Sequence, residues 1–139
     1  MKENQYETEQ YTLFFQRNNI VSCSIGLQVF GSSWEDLKYY CFDLANNKVV
    51  GKDLFINQKE LLKKFKLKLL DDDLEFSVKE DSLSNYILLP NSNGKVEKII
   101  FLFYHYNSRS SSGYSKYEVS FNKNEIKKYI SKNYIKKIF

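Results

Sequence analysis

Residue types that build common catalytic and metal sites are scarce in this chain of 139 residues. It contains one histidine, two cysteines, one tryptophan, one proline and five glycines. A structural zinc site needs several Cys or His ligands, and a phosphate-binding loop needs clustered glycines; the sequence shows neither pattern. Catalysis by Ser-His-Asp or Cys-His groups would depend on His105 alone, and a strand-end surface position is the more frequent role for such a residue. We therefore expect no metal, no cofactor and no enzymatic activity.

Long apolar runs are also missing. None approaches the roughly 20 residues that a membrane-spanning helix requires, so we expect no membrane insertion in this chain. The first ten residues are polar and lack the hydrophobic region of a signal peptide. Few glycines and prolines leave no room for an interdomain linker. We expect a disordered or incomplete segment over residues 1–10, followed by a single domain over residues 11–139.

Positive charge is concentrated near the end of the chain. The net charge is +4, yet residues 123–139 alone contain six lysines and one glutamate, a balance of +5. The remainder therefore carries −1. Nucleic-acid binding on charge grounds would have to involve this segment. An amphipathic helix packed on a sheet, with its lysines in water, is the more frequent explanation, and we expect no nucleic-acid partner.

Hydrophobic periodicity predicts the secondary structure. Alternation of apolar and polar residues, bounded by turn residues, predicts strands at residues 10–17, 20–30, 37–44, 49–50, 85–89, 96–106 and 117–121. Helical spacing predicts helices from about Asn57 and Lys123. The apolar run at residues 99–103 is typical of a central strand covered on both faces. The expected fold class is α+β: a mainly antiparallel sheet of five to seven strands with two principal helices packed on it.

Cys23 and Cys41 lie in two of the predicted strands. Each is nine residues from Ser32, so a hairpin centred on Ser32 would place them opposite each other on one face. Two interpretations remain open: a disulfide in an oxidising compartment, or two small buried hydrophobic residues.

Tyrosines cluster around the polar loop at residues 107–115. Tyr104, Tyr106, Tyr114 and Arg109 combine large contact area with planar hydrogen bonding, which suits binding of a protein or a sugar. The alternative is that tyrosine is simply abundant in this chain. Asp43 and Asp53 are expected to accept backbone hydrogen bonds at a turn and at a helix start.

The order of several segments resembles a bacterial cell-envelope family. The best-matched segments are Tyr-Tyr-Cys-Phe-Asp-Leu at residues 39–44 and Asp-Leu-Phe at residues 53–55, followed by a helix. A hairpin at residues 85–104 and a closing strand and helix at residues 118–130 follow in the same order. The family is the extracytoplasmic domain of the RsiV-type lysozyme-sensing anti-sigma factors, also found beside polysaccharide deacetylase domains.

This resemblance implies a non-enzymatic binding or sensory module of the bacterial envelope. Its ligand would be a lysozyme-like protein or a peptidoglycan-derived sugar. The chain would then be periplasmic or extracellular, as a piece of a longer protein that follows a signal or an anchor. Gly31-Ser32-Ser33 replaces the family's Gly-Gly-Ala-His turn, and a shorter Ser-rich loop replaces its Pro- and Tyr-rich loop. The alternative is a small cytoplasmic protein that blocks a partner, such as an immunity protein for a toxin.

Overall fold

The computed structural model describes residues 6–29, 35–69, 78–106 and 114–139. Within these ranges the chain is an α+β fold whose strands all pair antiparallel. The strands are β1 (Tyr6–Arg17), β2 (Ile20–Val29), β3 (Glu35–Asp43), β4 (Lys48–Val49), β5 (Tyr86–Pro90), β6 (Val96–Tyr106) and β7 (Tyr114–Asn122). The predicted α+β class with antiparallel strands is therefore confirmed.

Three α-helices are present in the described ranges, together with three 3-10 segments. The helices are α1 (Gln58–Leu69), α2 (Lys123–Ile126) and α3 (Lys132–Ile138). The 3-10 segments are Lys52–Leu54, Glu80–Ser84 and Lys127–Tyr129. The single helix expected from Lys123 is thus divided in two. Ile130 is extended and pairs with Phe55, and Ser131 caps α3 by accepting a hydrogen bond from the Asn133 amide.

The strands form two sheets rather than the single sheet that we expected. One sheet has the order β1-β2-β3-β4, and the other has the order β5-β6-β7. Asn18 and Asn19 both have positive φ and connect β1 to β2 in a two-residue turn, the geometry that favours a tight hairpin. The chain between β4 and β5, which includes α1, separates the two groups of strands.

The edge of strand β5 packs against the face of the four-stranded sheet that carries Ser22, here termed the inner face. The backbone amide of Leu88 donates a hydrogen bond of 3.1 Å to the Ser22 hydroxyl, and both groups are buried. Ser24 is buried beside it on the same face of β2. Small side chains on this face let the edge of β5 approach closely, and the serine hydroxyl satisfies an amide that has no strand partner on that side.

The hydrophobic core lies around β6. Its buried residues Ile99, Phe101 and Phe103 face Phe65 of α1, with ring centroids 5.4 and 5.8 Å from Phe65 for the two phenylalanines. On the opposite face, Leu102 is also buried, and Lys116 of β7 donates to the Tyr39 hydroxyl of β3. The expectation of a central strand covered on both faces is confirmed.

Candidate functional site

The predicted tyrosine cluster lies at the end of the β6–β7 hairpin. Tyr106 is directly opposite Tyr114 in the ladder, and Tyr104 is two residues further into the sheet. The register therefore brings the backbones of these three residues together. Arg109 lies outside the described residues. The binding role of this cluster stays a prediction.

Tyr117 belongs to the scaffold of this hairpin. Its ring stacks on Phe103 with a centroid distance of 5.4 Å and an interplanar angle of 25°. Since Phe103 is buried in the core, this contact anchors the hairpin three residues before its described end on each strand. His105 pairs with Ser115 in the same ladder, and an acid–base role for it stays untested.

The arrangement predicted for the two cysteines is wrong. Cys23 is opposite Tyr40, and Cys41 is opposite Ser22, so the register differs by one residue from a hairpin centred on Ser32. Because side chains alternate across a strand, a shift of one residue sends the two thiols to opposite faces of the sheet. Both cysteines are free in the structure; Cys41 is buried, and Cys23 is half-buried.

The Cys41 thiol lies in an unreactive environment. Burial raises its pKa to about 11, which keeps it in the poorly nucleophilic thiol form. The neighbouring Tyr86 hydroxyl donates to the Val50 carbonyl at 2.8 Å, and burial raises the pKa of Tyr86 as well. This pair is part of the packing between β3 and β5.

Asp43 organises the turn between β3 and β4. Its carboxylate accepts one hydrogen bond from the Asn46 amide at 3.1 Å and another from the Asn46 side chain at 2.7 Å. The side-chain bond from Asn46 is the main cause of the lowered pKa of Asp43. The residue thus has the structural role that the sequence predicted.

Asp53 has a similar role at the start of the 3-10 segment Lys52–Leu54. It accepts from the Gly51 amide at 2.8 Å and forms an ion pair with Lys48 at 2.7 Å. Burial opposes ionisation of this carboxyl, but these hydrogen bonds outweigh it, and the pKa of Asp53 is lowered.

A polar cleft of 480 Å³ lies beside this segment. It is lined by Asn46, Lys48, Asn133, Tyr134 and Lys137. Asp43 and Asp53 both accept hydrogen bonds from protein donors, so neither of them supplies a free carboxylate to this cleft.

One feature of the surface was missed by the sequence reasoning. Val21, Cys23 and Ile25 of β2 point away from the core, and together with their neighbours on β1, β3 and β4 they form a partly apolar sheet surface, here termed the outer face. By register, the apolar residues of the outer face are Tyr11, Leu13, Val21, Cys23, Ile25, Tyr40, Phe42 and Val49, and the polar residues Glu9, Gln16 and Lys38 lie on the same face. The signal that could have revealed it is the series Ser22, Ser24 and Gly26, whose small side chains permit close packing.

The outer face is accessible. Tyr11, Leu13 and Val49 are exposed by 66%, 60% and 56%, and the other five apolar side chains of the outer face are half-buried. Tyr40 and Phe42 stack with their centroids 5.5 Å apart.

Comparison with known proteins assigns this chain to no family. The chain matches no family model and no curated protein. Across the described ranges, no group of three or more His, Cys, Asp or Glu residues is arranged to hold a metal ion. In those same ranges no helix combines the length and the apolar character needed to cross a bilayer.

Proposed function

We propose that this chain is a non-enzymatic binding or sensory module of the bacterial cell envelope. Its ligand is a lysozyme-like protein or a peptidoglycan-derived sugar, and its compartment is periplasmic or extracellular. The proposal rests on the resemblance of the segment order to the RsiV-type family. The structural observation that supports it is the β6–β7 register, which gathers Tyr104, Tyr106 and Tyr114 at one end of a hairpin.

The position of this hairpin end suits ligand binding for a physical reason. The core contacts of Phe101 and Phe103 hold β6 in place, and Tyr117 stacks on Phe103 to hold β7. Aromatic residues on a rigid support lose little conformational entropy when a ligand binds. Arg109, in the connection between the two strands, adds a planar cationic donor to the predicted site.

The test is a binding measurement with the purified chain. Calorimetric titration with lysozyme and with soluble peptidoglycan fragments identifies the ligand class. The alanine variants Tyr106→Ala, Tyr114→Ala and Arg109→Ala are each expected to weaken binding by about 1–2 kcal/mol, a factor of roughly 5 to 30 in Kd. Urea midpoints measured for each variant separate a loss of ligand affinity from a loss of stability.

Tyr11→Ala is the matched control, because Tyr11 is an exposed tyrosine on the other sheet. It should leave ligand affinity unaltered. If neither ligand class binds, the envelope-sensor proposal fails. If a ligand binds but the hairpin variants and the control behave alike, the site is misplaced even though the function stands.

A second candidate function is a small cytoplasmic protein that blocks a partner, such as an immunity protein. The free thiol of Cys23 favours it, because half-exposed unpaired cysteines are more typical of reducing compartments. Cell fractionation separates the two candidates. Recovery from the envelope or the medium supports the sensor, whereas recovery from the cytoplasm together with a toxin encoded nearby supports the blocking protein.

A further inference from the structure

The polar cleft between the β3–β4 turn and helix α3 is walled by hydrogen-bond donors. The turn and the start of β4 supply Asn46 and Lys48, and α3 supplies Asn133, Tyr134 and Lys137. Its volume of 480 Å³ lies within the range of about 300–1,000 Å³ that small-molecule sites occupy. Among the described residues, the lining has two ammonium groups, two amides and a phenol, and no carboxylate. A ligand that fits this lining is negatively charged and accepts several hydrogen bonds.

Two donors on α3 are available to such a ligand. Asn133 and Lys137 are four residues apart, so they lie on the same side of the helix. Within the described ranges, the Lys137 ammonium forms no ion pair, and the Asn133 side chain makes no hydrogen bond. The Lys137 ammonium lies 5.8 Å from the centroid of the Tyr134 ring. The Lys137 carbonyl accepts a hydrogen bond of 2.9 Å from the Asn18 side chain, which fixes this end of α3 against the β1–β2 turn.

Lys48 can also contact a ligand, although it forms an ion pair. Its ammonium lies 2.7 Å from the Asp53 carboxylate, and both side chains are about half exposed. An ion pair at such an exposed position contributes little to stability. An ammonium has three N–H donors, so Lys48 can donate to a ligand oxygen while it keeps its bond to Asp53.

The carboxylates nearest to the cleft are occupied by donors of the protein. Asp43 accepts two hydrogen bonds from Asn46, and Asp53 accepts from the Gly51 amide and from Lys48. Helix α3 itself contains three lysines and no acidic residue. The α3 side of the cleft is therefore positive.

We propose that this cleft binds a phosphate group. A phosphate monoester carries a charge of about −1.5 to −2 at neutral pH and has three oxygens that accept strong hydrogen bonds. It can use the ammonium groups of Lys48 and Lys137 together with the amide and hydroxyl donors beside them. A carboxylate has less charge and one oxygen fewer, so it leaves more of these donors unused. The cleft is larger than a phosphate group alone, and it has room for the organic part of a phosphate ester.

This inference does not depend on the proposed envelope function, and it involves a different part of the molecule. The test is a titration of the isotope-labelled chain, followed by the chemical shifts of its amides in NMR spectra. Glycerol phosphate is the probe, glycerol is its phosphate-free counterpart, and inorganic phosphate tests the anion alone. At low ionic strength, glycerol phosphate should shift the amides of the lining residues saturably, with a Kd below about 1 mM. Glycerol should leave them unchanged.

The comparison with inorganic phosphate identifies the source of the phosphate group. Tighter binding of glycerol phosphate indicates that the ligand is a small phosphorylated molecule. Equal binding of the two indicates that the ligand is the free ion. Both results support a phosphate site, whereas acetate that binds as tightly as phosphate overturns it.

Lys137→Gln should raise the Kd for glycerol phosphate at least about tenfold, because it removes a charged donor that forms no ion pair within the described residues. Lys136→Gln is the matched control. It removes the same charge from an exposed neighbouring position on the same helix that does not line the cleft, so the Kd should change by less than about twofold. Asn133→Ala changes no charge and should still weaken binding by about threefold, because it removes a neutral donor.

The amide spectrum of each variant also shows whether that variant is folded. Equal losses for Lys136→Gln and Lys137→Gln would overturn the proposal, because general attraction to a basic surface would then account for the binding. So would amide shifts that spread over all lysine-rich segments, that glycerol also produces, or that do not saturate.

Discussion

Ser22 decides which face of β2 is buried. Its hydroxyl accepts the hydrogen bond of the Leu88 amide, which would otherwise be a buried donor without a partner. Leaving such a donor unsatisfied costs about 1–3 kcal/mol. A valine at this position would bury more apolar area but could not accept that bond. The polar side of the strand is therefore the side that faces β5.

Asp43 provides the residue-scale prediction. Replacing it with asparagine should lower the free energy of unfolding at pH 7 by about 1–2 kcal/mol, because the carboxylate holds both the amide and the side chain of Asn46. Urea denaturation followed by circular dichroism measures this difference. The matched control is Asp81→Asn, since Asp81 is an exposed aspartate whose ion pair with Lys52 lies at the surface.

The effect of Asp43→Asn should depend on pH in a defined direction. The folded-state pKa of Asp43 lies below its usual value near 3.8, so the charged carboxylate stabilises the fold at all pH values above about 4. That contribution is lost as the pH falls from about 4 through the folded-state pKa. The stability difference between the variant and the unaltered chain should then shrink. A difference that stays constant down to pH 2.5 would show that hydrogen-bond geometry, and not charge, stabilises the turn.

Helix α1 is rich in lysine, and two buried apolar side chains hold it against the core. Leu61 and Phe65 are fully buried, whereas five lysines surround them on the same helix. The Phe65 ring contacts both Phe101 and Phe103 of β6. Isolated helices of 12 residues are marginal in water, so this packing accounts for most of the helix's stability.

The element-scale prediction compares two positions of α1. Phe65→Ala should destabilise the protein by about 3–5 kcal/mol, because it opens a cavity beside the Phe101 and Phe103 rings. Leu67→Ala should change stability by less than about 0.5 kcal/mol, because that side chain is 73% exposed. Chemical denaturation measures both. Similar losses for the two variants would contradict the prediction, because burial would then not decide the cost of each substitution.

The segment that follows β7 is divided by its hydrogen bonds. Asn122 and Glu125 form a reciprocal capping box at the start of α2, with distances of 3.0 and 3.1 Å. Glu125 also pairs with Lys68 of α1 at 2.9 Å, which joins the two helices. The Ser131 amide donates to the Leu54 carbonyl, so the chain is held to the 3-10 segment Lys52–Leu54 before α3 begins.

Positive and negative charges are separated along the chain. Helix α1 and residues 123–139 together carry eleven lysines and two glutamates, a balance of +9, which leaves −5 for the rest of the chain. Lys64 and Lys128 approach the same Tyr129 ring, at 5.4 and 5.3 Å from its centroid. The structure thus brings two lysine-rich segments into one basic surface, and such surfaces attract anions at low ionic strength.

The whole-molecule prediction follows from this separation. The chain should elute from a cation exchanger at higher salt than its net charge of +4 suggests. The double variant Lys64→Gln with Lys128→Gln should elute at clearly lower salt. The double variant Lys38→Gln with Lys95→Gln removes the same charge from other elements and should shift elution less. Equal shifts would indicate that net charge alone governs retention.

The sequence by itself determined the class of fold and most of its elements. Periodicity of two located the strands, because alternating side chains are imposed by the local geometry of an extended chain. The Asn18-Asn19 turn was also predictable, because asparagine tolerates the positive φ that a two-residue hairpin needs. The roles of Asp43 and Asp53 at turns were predictable for a similar reason, since their acceptor bonds reach groups two or three residues away.

Tertiary structure alone decided which faces were buried and how the strands were grouped. Alternation shows that β2 has two different faces, but the packing of β5, whose Leu88 lies 66 residues after Ser22, selected the serine face as the inner one. A register one residue away from the expected one separated Cys23 from Cys41. A bulge placed Leu13 outside and Phe15 inside. Each outcome depends on a partner distant in sequence or on a slip of one residue, and neither leaves a mark in local periodicity.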